Sequence, residues 1–165
     1  LTEFQKYIQR YLDLIPSQNW MEEMANSEAE TLQIYSILND ETALYKYEEG
    51  KWTLKEMLLH IIDTERIFQY RALSFARNET QDLLGFDENL FAENSLANER
   101  TLKSLIDEYK ANRQSSIILF ENFSEKVLTK TGTSSGNRIS VKQLGYLIIG
   151  HNLHHLNVIR ERYQN

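Results

Sequence analysis

The chain has 165 residues, 41% hydrophobic and 25% charged, with 24 acidic against 18 basic side chains and a formal net charge of −6. That length suits one domain, spanning residues 1–165, with a substantial core, and the composition is globular rather than disordered. The acidic balance argues against a nucleic-acid partner, and the lack of cysteine excludes disulfides, a thiolate nucleophile and any Cys-ligated metal. No run approaches the roughly 18 apolar residues that a membrane span needs, and no signal-peptide pattern opens the chain. A cytoplasmic setting is therefore expected, and a start at Leu1 rather than methionine points to a trimmed N-terminus. One proline and six glycines leave little punctuation for strands and turns, which predicts a mostly helical protein.

A short helix is expected from about Glu3 to Leu14, stopped by Pro16. The first long helix covers roughly Asn19 to Leu38, with Trp20, Met24, Leu32, Tyr35 and Leu38 as its apolar positions. Asn39 to Gly50 reads as a connector, in which Tyr45 and Tyr47, with Trp52 just beyond, anchor the chain rather than stack a ligand. Thr53-Leu-Lys-Glu56 matches the capping box, whose side chains satisfy the orphan N–H groups of a helix start. The second long helix continues from there to about Arg77.

Asn78 to Glu99 is a loop broken by Gly85 and rich in Asn, Asp and Glu. At about 22 residues it is longer than an up-and-down bundle needs, so it either covers a site or crosses between distant helices. The third long helix runs from roughly Thr101 to Phe123 on Leu102, Leu105, Ile106, Tyr109, Ile117 and Phe120. Thr129 to Asn137 reads as a glycine- and serine-rich loop, and Ser140 caps a fourth long helix that continues to about Tyr163. Four long amphipathic helices with no strand pattern predict an all-α four-helix bundle. A short extra N-terminal helix and a long loop between the second and third bundle helices complete the expected architecture.

Of the four histidines, three fall inside apolar helical stretches: His60 in the second long helix, and His151 with His155 in the fourth. The pair is spaced i, i+4, which stacks the two rings on one helix face. The stripe of Leu144, Leu147, Ile148, Val158 and Ile159 centres roughly 20° from His151, with His155 a similar angle to the other side, so both point into the core. His154 lies roughly 80° from that centre, at the stripe's edge, where it suits a surface or supporting group better than a ligand. His60 sits roughly 100° from its own stripe centre at Ile61 and reaches a shared site only if that flank faces the fourth helix.

Three imidazoles from two helices would hold a divalent transition metal and leave a coordination position open. Spacing alone supports hydrogen-bonded core histidines equally well, since two buried rings each need partners for two nitrogens. Glu65 is a second anomaly, a carboxylate among Met57, Leu58, Ile61, Phe68 and Ala72. It must be paired, coordinated or drawn to the core's edge. It could orient a ligand histidine, accept a proton from a metal-bound water, or pair with an inward arginine.

The run Gly50-Lys-Trp-Thr-Leu-Lys-Glu-Met-Leu-Leu-His60 and the stretch Asp63-Thr-Glu-Arg66 resemble the DinB/YfiT-like superfamily of four-helix-bundle metalloenzymes. So do Gly85-Phe-Asp87-Glu88 in the long loop and Gly150-His-Asn-Leu-His-His155 near the end. The likeness runs from about Tyr45 to Tyr163 and keeps the order of elements. The resemblance implies that His60, His151 and His155 bind one divalent metal, commonly nickel or zinc, in a bacterial cytoplasmic homodimer. It implies no single activity. Some members are metal-dependent transferases acting on low-molecular-weight thiols, and others are called hydrolases without a known substrate.

Three functions follow as expectations. The leading one is a metal-dependent transferase that activates a small thiol, because a coordinating thiol loses its proton outright. The second is metal-assisted hydrolysis, with Glu65 or Asp87 as general base. The third is a non-catalytic bundle, a scaffold or binding module whose histidines are core hydrogen-bonders.

Overall fold

The computed structural model describes residues 1–164. The chain folds into α1 (Glu3–Leu12), α2 (Trp20–Ser36), α3 (Leu54–Ala76), α4 (Glu88–Glu93), α5 (Leu102–Glu121), α6 (Glu125–Leu128), β1 (Thr131–Ser134), β2 (Asn137–Ser140) and α7 (Val141–Val158). The last helix runs on through a π-helical turn, Ile159–Tyr163. None of the described helices is long and apolar enough to cross a membrane.

The starts of α3 and α7 are written locally. Thr53 Oγ1 accepts from the Glu56 amide and Glu56 Oε2 accepts from the Thr53 amide, at 3.1 and 2.8 Å. Ser140 and Gln143 repeat the exchange at the head of α7. Each box satisfies orphan donors and pins the first turn of a helix that carries histidine.

Helices α2, α3, α5 and α7 form the four-helix bundle. Helix α3 packs against α7 and α5, and α2 packs against those same two from the other side. Consecutive helices α2 and α3 are therefore diagonal, and so are α5 and α7. The connector between α2 and α3 makes one crossing of the bundle end. It is pinned where Asp40 Oδ1 meets Lys55 Nζ at 2.9 Å and accepts from the Leu102 amide at 2.6 Å. The segment between α5 and α7 makes the other crossing.

The long loop after α3 is no crossover, because it joins neighbours. It contains α4, and Leu83 pairs through its backbone with Thr133 and Ser135. Residues 129–137, expected as a loop, lie mostly in the β1–β2 hairpin, with Thr131 opposite Ser140 and Ser134 opposite Asn137. Ser135 and Gly136 turn it with φ of 51° and 76°, the two positive values of a tight hairpin turn. Strands this short and polar carry no alternating apolar signal. The loop and the hairpin together form a wall beside α3 and α7.

The bundle's centre is polar. Arg113, on α5, is fully buried. Its Nε and Nη2 donate to the two carboxylate oxygens of Glu65, on α3, both at 2.9 Å. Its Nη1 donates to Met24 O and Ser27 Oγ of α2, and Nη2 also donates to Asn152 Oδ1 of α7. One guanidinium thus ties all four bundle helices. Tyr109 extends the network to Asn152 and Thr31, and Ser116 donates to Glu65 Oε1. The inward Glu65 of the sequence is explained by this pairing.

Removing one partner of a buried ion pair strands the other charge, at a cost of about 3–5 kcal/mol, whereas replacing both with apolar residues is far milder. Arg113→Met should lose about that much stability in a denaturant titration, and the double variant Glu65→Leu/Arg113→Met should recover most of it. A single-variant loss below about 1 kcal/mol would show that the pair does not organise the core.

Candidate metal centre

Helices α3 and α7 are neighbours, and the flank of α3 that carries His60 faces α7. The three expected histidines meet there. His60 Nε2 lies 3.0 Å from His151 Nε2 and 3.1 Å from His155 Nε2, and the latter two are 3.0 Å apart. Among the described residues this is the one cluster of three or more His, Asp or Glu donors close enough to share an ion. His60 and His151 are buried and His155 is half-buried.

This triangle fits a shared cation better than it fits mutual hydrogen bonding. The Nε2 of a neutral imidazole either carries a proton and donates, or carries a lone pair and accepts. Three such atoms in mutual contact cannot be paired by any choice of tautomers. At least one side always sets donor against donor or lone pair against lone pair. A cation at the shared point satisfies three lone pairs at once, so this donor set fits a divalent ion. Burial reinforces the match by favouring the uncharged rings. Desolvation, with repulsion from His154, takes His60 down to about 4. Burial and the other imidazoles hold His151 and His155 well below the usual histidine range. All three are neutral at pH 7 and need shed no proton to coordinate.

The surroundings are aromatic. The Trp52 ring packs on His60 with centroids 4.6 Å apart, and Phe68 meets His151 edge-on at 6.2 Å. Trp52 therefore does more than anchor the connector, although its carbonyl also accepts from Tyr163 Oη at 2.7 Å. Tyr45 and Tyr47 pack edge-on against Tyr163, away from the cluster. From α1, Tyr11 reaches His151 and His154, with ring centroids 6.1 and 5.6 Å away. That approach requires Gly150, since a Cβ there would lie 2.5 Å from the Tyr11 carbonyl oxygen.

The remaining sequence candidates fall elsewhere. Glu65 is engaged by Arg113 and Ser116. Asp87 caps α4, its Oδ1 accepting from the Asn89 and Leu90 amides. Neither carboxylate is available as a general base at the cluster. His154 is exposed and sits at the rim of a cavity of about 350 Å3 that also touches His151 and His155. The loop residues Gly85, Phe86 and Glu88 line that cavity, so the long loop covers the site. Thr64 and Arg71 also line it. Their spacing from His60, i+4 and i+11, was the readable signal; Ser134, brought in by the hairpin, had none.

The depressed histidines give a signed pH dependence for metal-free protein. Folding weakens proton affinity at these rings, so below about pH 6.5 the unfolded chain takes up protons that the native chain refuses. Stability should hold above pH 6.5 and fall as pH drops toward about 4 for His60, with a slope of about 1.4 kcal/mol per pH unit per ring. His60→Gln should flatten that limb by one proton's worth in urea titrations across the range. An unchanged slope would contradict the burial assigned to His60.

The fold is similar to that of YfiT from Bacillus subtilis, described as a probable metal-dependent hydrolase with an unusual four-helix bundle topology. The two share 16% sequence identity at a TM-score of 0.79, over 88% of this chain and 84% of the other. No curated protein matches the chain in sequence. The DinB superfamily family model matches residues 23–159, which include the histidine cluster and the four bundle helices apart from the first three residues of α2. The chain belongs to the DinB superfamily.

Proposed function

We propose that this chain is a divalent-metal-dependent transferase that activates a small thiol, with His60, His151 and His155 as the metal ligands. The observation that carries the reading is the triangle of ring nitrogens 3.0–3.1 Å apart, which no arrangement of imidazole protons satisfies and one cation does. Nickel or zinc suits three imidazoles, and the homodimer implied by the family resemblance is part of the same proposal. A divalent ion held by these residues would supply a coordination position at which a small thiol, or water in the alternative, would be acidified toward neutral pH.

The chain's own residues set the rest. His60 is oriented by Trp52, and His151 and His155 by one face of α7. Phe68 and Tyr11 limit water at the cluster. Among the described residues no carboxylate joins the cluster. Ionisation of the nucleophile is then left to the metal, which would deprotonate a thiol outright but water only in part near neutral pH, and this favours the thiol. A second reading, hydrolysis, draws on the description of YfiT as a probable metal-dependent hydrolase.

The test is adduct formation between cysteine and a chlorinated aromatic electrophile, using metal-stripped protein and protein reloaded with one equivalent of nickel or zinc. The reloaded protein should accelerate the reaction, and His151→Ala should abolish the acceleration. Equal rates with and without metal would remove the transferase reading. Metal-dependent turnover of an ester and amide panel, indifferent to added thiol, would put hydrolysis in its place.

A further inference from the structure

The buried polar side-chain atoms left without a hydrogen-bond partner among the described residues are Thr64 Oγ1, Arg71 Nε, Ser134 Oγ and His155 Nδ1. All four belong to residues that line a single cavity beside the histidine cluster. Buried polar groups are ordinarily paired, and the Arg113 network shows this chain pairing a whole set of them elsewhere. Unpaired donors gathered on one cavity mark a place built to meet something that accepts.

Arg71 is the cation of that cavity. Its Nη2 donates to Leu84 O at 3.2 Å, and it takes part in no ion pair among the described residues. A partly dehydrated guanidinium without a counter-anion is unfavourable. That burial lowers its proton affinity below the usual arginine value. Thr64 and Arg71 follow His60 on α3 at i+4 and i+11, within roughly 40° of it around the axis. Along the axis the Thr64 backbone lies about 6 Å from that of His60 and the Arg71 backbone about 16 Å, and helical side chains lean toward the N-terminal turn, so a carboxylate shared by the two falls between these limits. Ser134 comes from β1, held in place where Leu83 bonds to the hairpin. Glu88, exposed, stands at the cavity's mouth.

We propose that this cavity is a carboxylate subsite, in which Arg71 with the hydroxyls of Thr64 and Ser134 binds the carboxylate of an elongated small substrate. A guanidinium presents paired donors that match a carboxylate, and two hydroxyls add single donors. One cation inside, with an acidic group at the mouth, suits a monoanion better than a phosphate dianion. The helical spacing sets the carboxylate several bonds from the reacting atom. The position of that atom at the histidines rests on the proposed function; the carboxylate subsite stands on the cavity alone.

Binding of hexanoate, its amide hexanamide, and 6-mercaptohexanoate to metal-free and metal-loaded protein tests this, read by ligand-observed NMR titration. Hexanoate should bind at least about tenfold more tightly than hexanamide in both forms, as expected of hydrogen bonds to a charged group. Arg71→Gln should bring the two within about twofold, and Arg71→Lys should restore part of the gap. If Arg71→Gln does not fold, Thr64→Val/Ser134→Ala should weaken hexanoate severalfold and leave hexanamide unchanged. Equal affinities in the wild type, or a preference that survives Arg71→Gln, overturn the subsite. Inorganic phosphate displacing hexanoate more effectively than acetate does overturns the carboxylate assignment. A tighter hold on 6-mercaptohexanoate than on hexanoate, in metal-loaded protein alone, supports the thiol reading. Its absence, with the hexanoate preference intact, sinks the thiol and leaves the subsite.

Discussion

The Arg113 guanidinium is the constraint on which the bundle's geometry rests. Taking it and Glu65 out of water costs several kcal/mol per ion, and only close pairing with further hydrogen bonds offsets that. The offset requires Glu65 of α3, Met24 O and Ser27 of α2, and Asn152 of α7 to arrive together. A slip of any helix by one residue would break at least one of these bonds and leave a buried charge short of a partner. Apolar packing alone tolerates such slips more readily, so the polar centre sets the register. His60 lies five residues before Glu65 and His151 is adjacent to Asn152. The register that satisfies Arg113 is therefore the one that brings the imidazoles together.

The histidine cluster stands in contrast to that network. At Arg113 every donor finds an acceptor, while at the histidines three equivalent nitrogens crowd with no consistent proton assignment. Neutral rings, an aromatic surround and α1 drawn close through Gly150 hold them in that arrangement. The fold thus resolves one buried polar cluster completely and leaves the other without a consistent pairing, which is the arrangement the proposed metal site calls for. The unpaired hydroxyls and the guanidinium along the neighbouring cavity have the same character. The Asn78–Glu99 loop and the hairpin wall off that end of the bundle, so cluster and cavity form one continuous space.

Much of this was legible in the residues, for reasons that are themselves local. The capping boxes at Thr53 and Ser140, the break at Pro16 and the i, i+4 spacing of His151 and His155 depend on nearby sequence alone. His60 was harder, because its angle from the Ile61 stripe placed it on a flank. Helix α3 contacts both α5 and α7, so two faces are buried, and a single stripe centre points between them. Glu65 could be recognised as anomalous but not assigned, since its partner is 48 residues away on α5. Asp87 could not be assigned from sequence, because a carboxylate just before a short helix caps it as readily as it serves chemistry. The β1–β2 hairpin had no signal beyond Ser135-Gly136, and its pairing with Leu83 is a tertiary contact. The diagonal placement of consecutive helices was also hidden, as amphipathic stripes do not say which neighbour they face.

The most direct test of the central claim is elemental analysis of protein purified without a histidine tag and titrated with nickel or zinc. The account predicts about one equivalent of divalent metal per chain, bound by a site that His60→Ala, His151→Ala or His155→Ala each destroys while helical content is retained. Folded wild-type protein that takes up no more metal than those variants would contradict it.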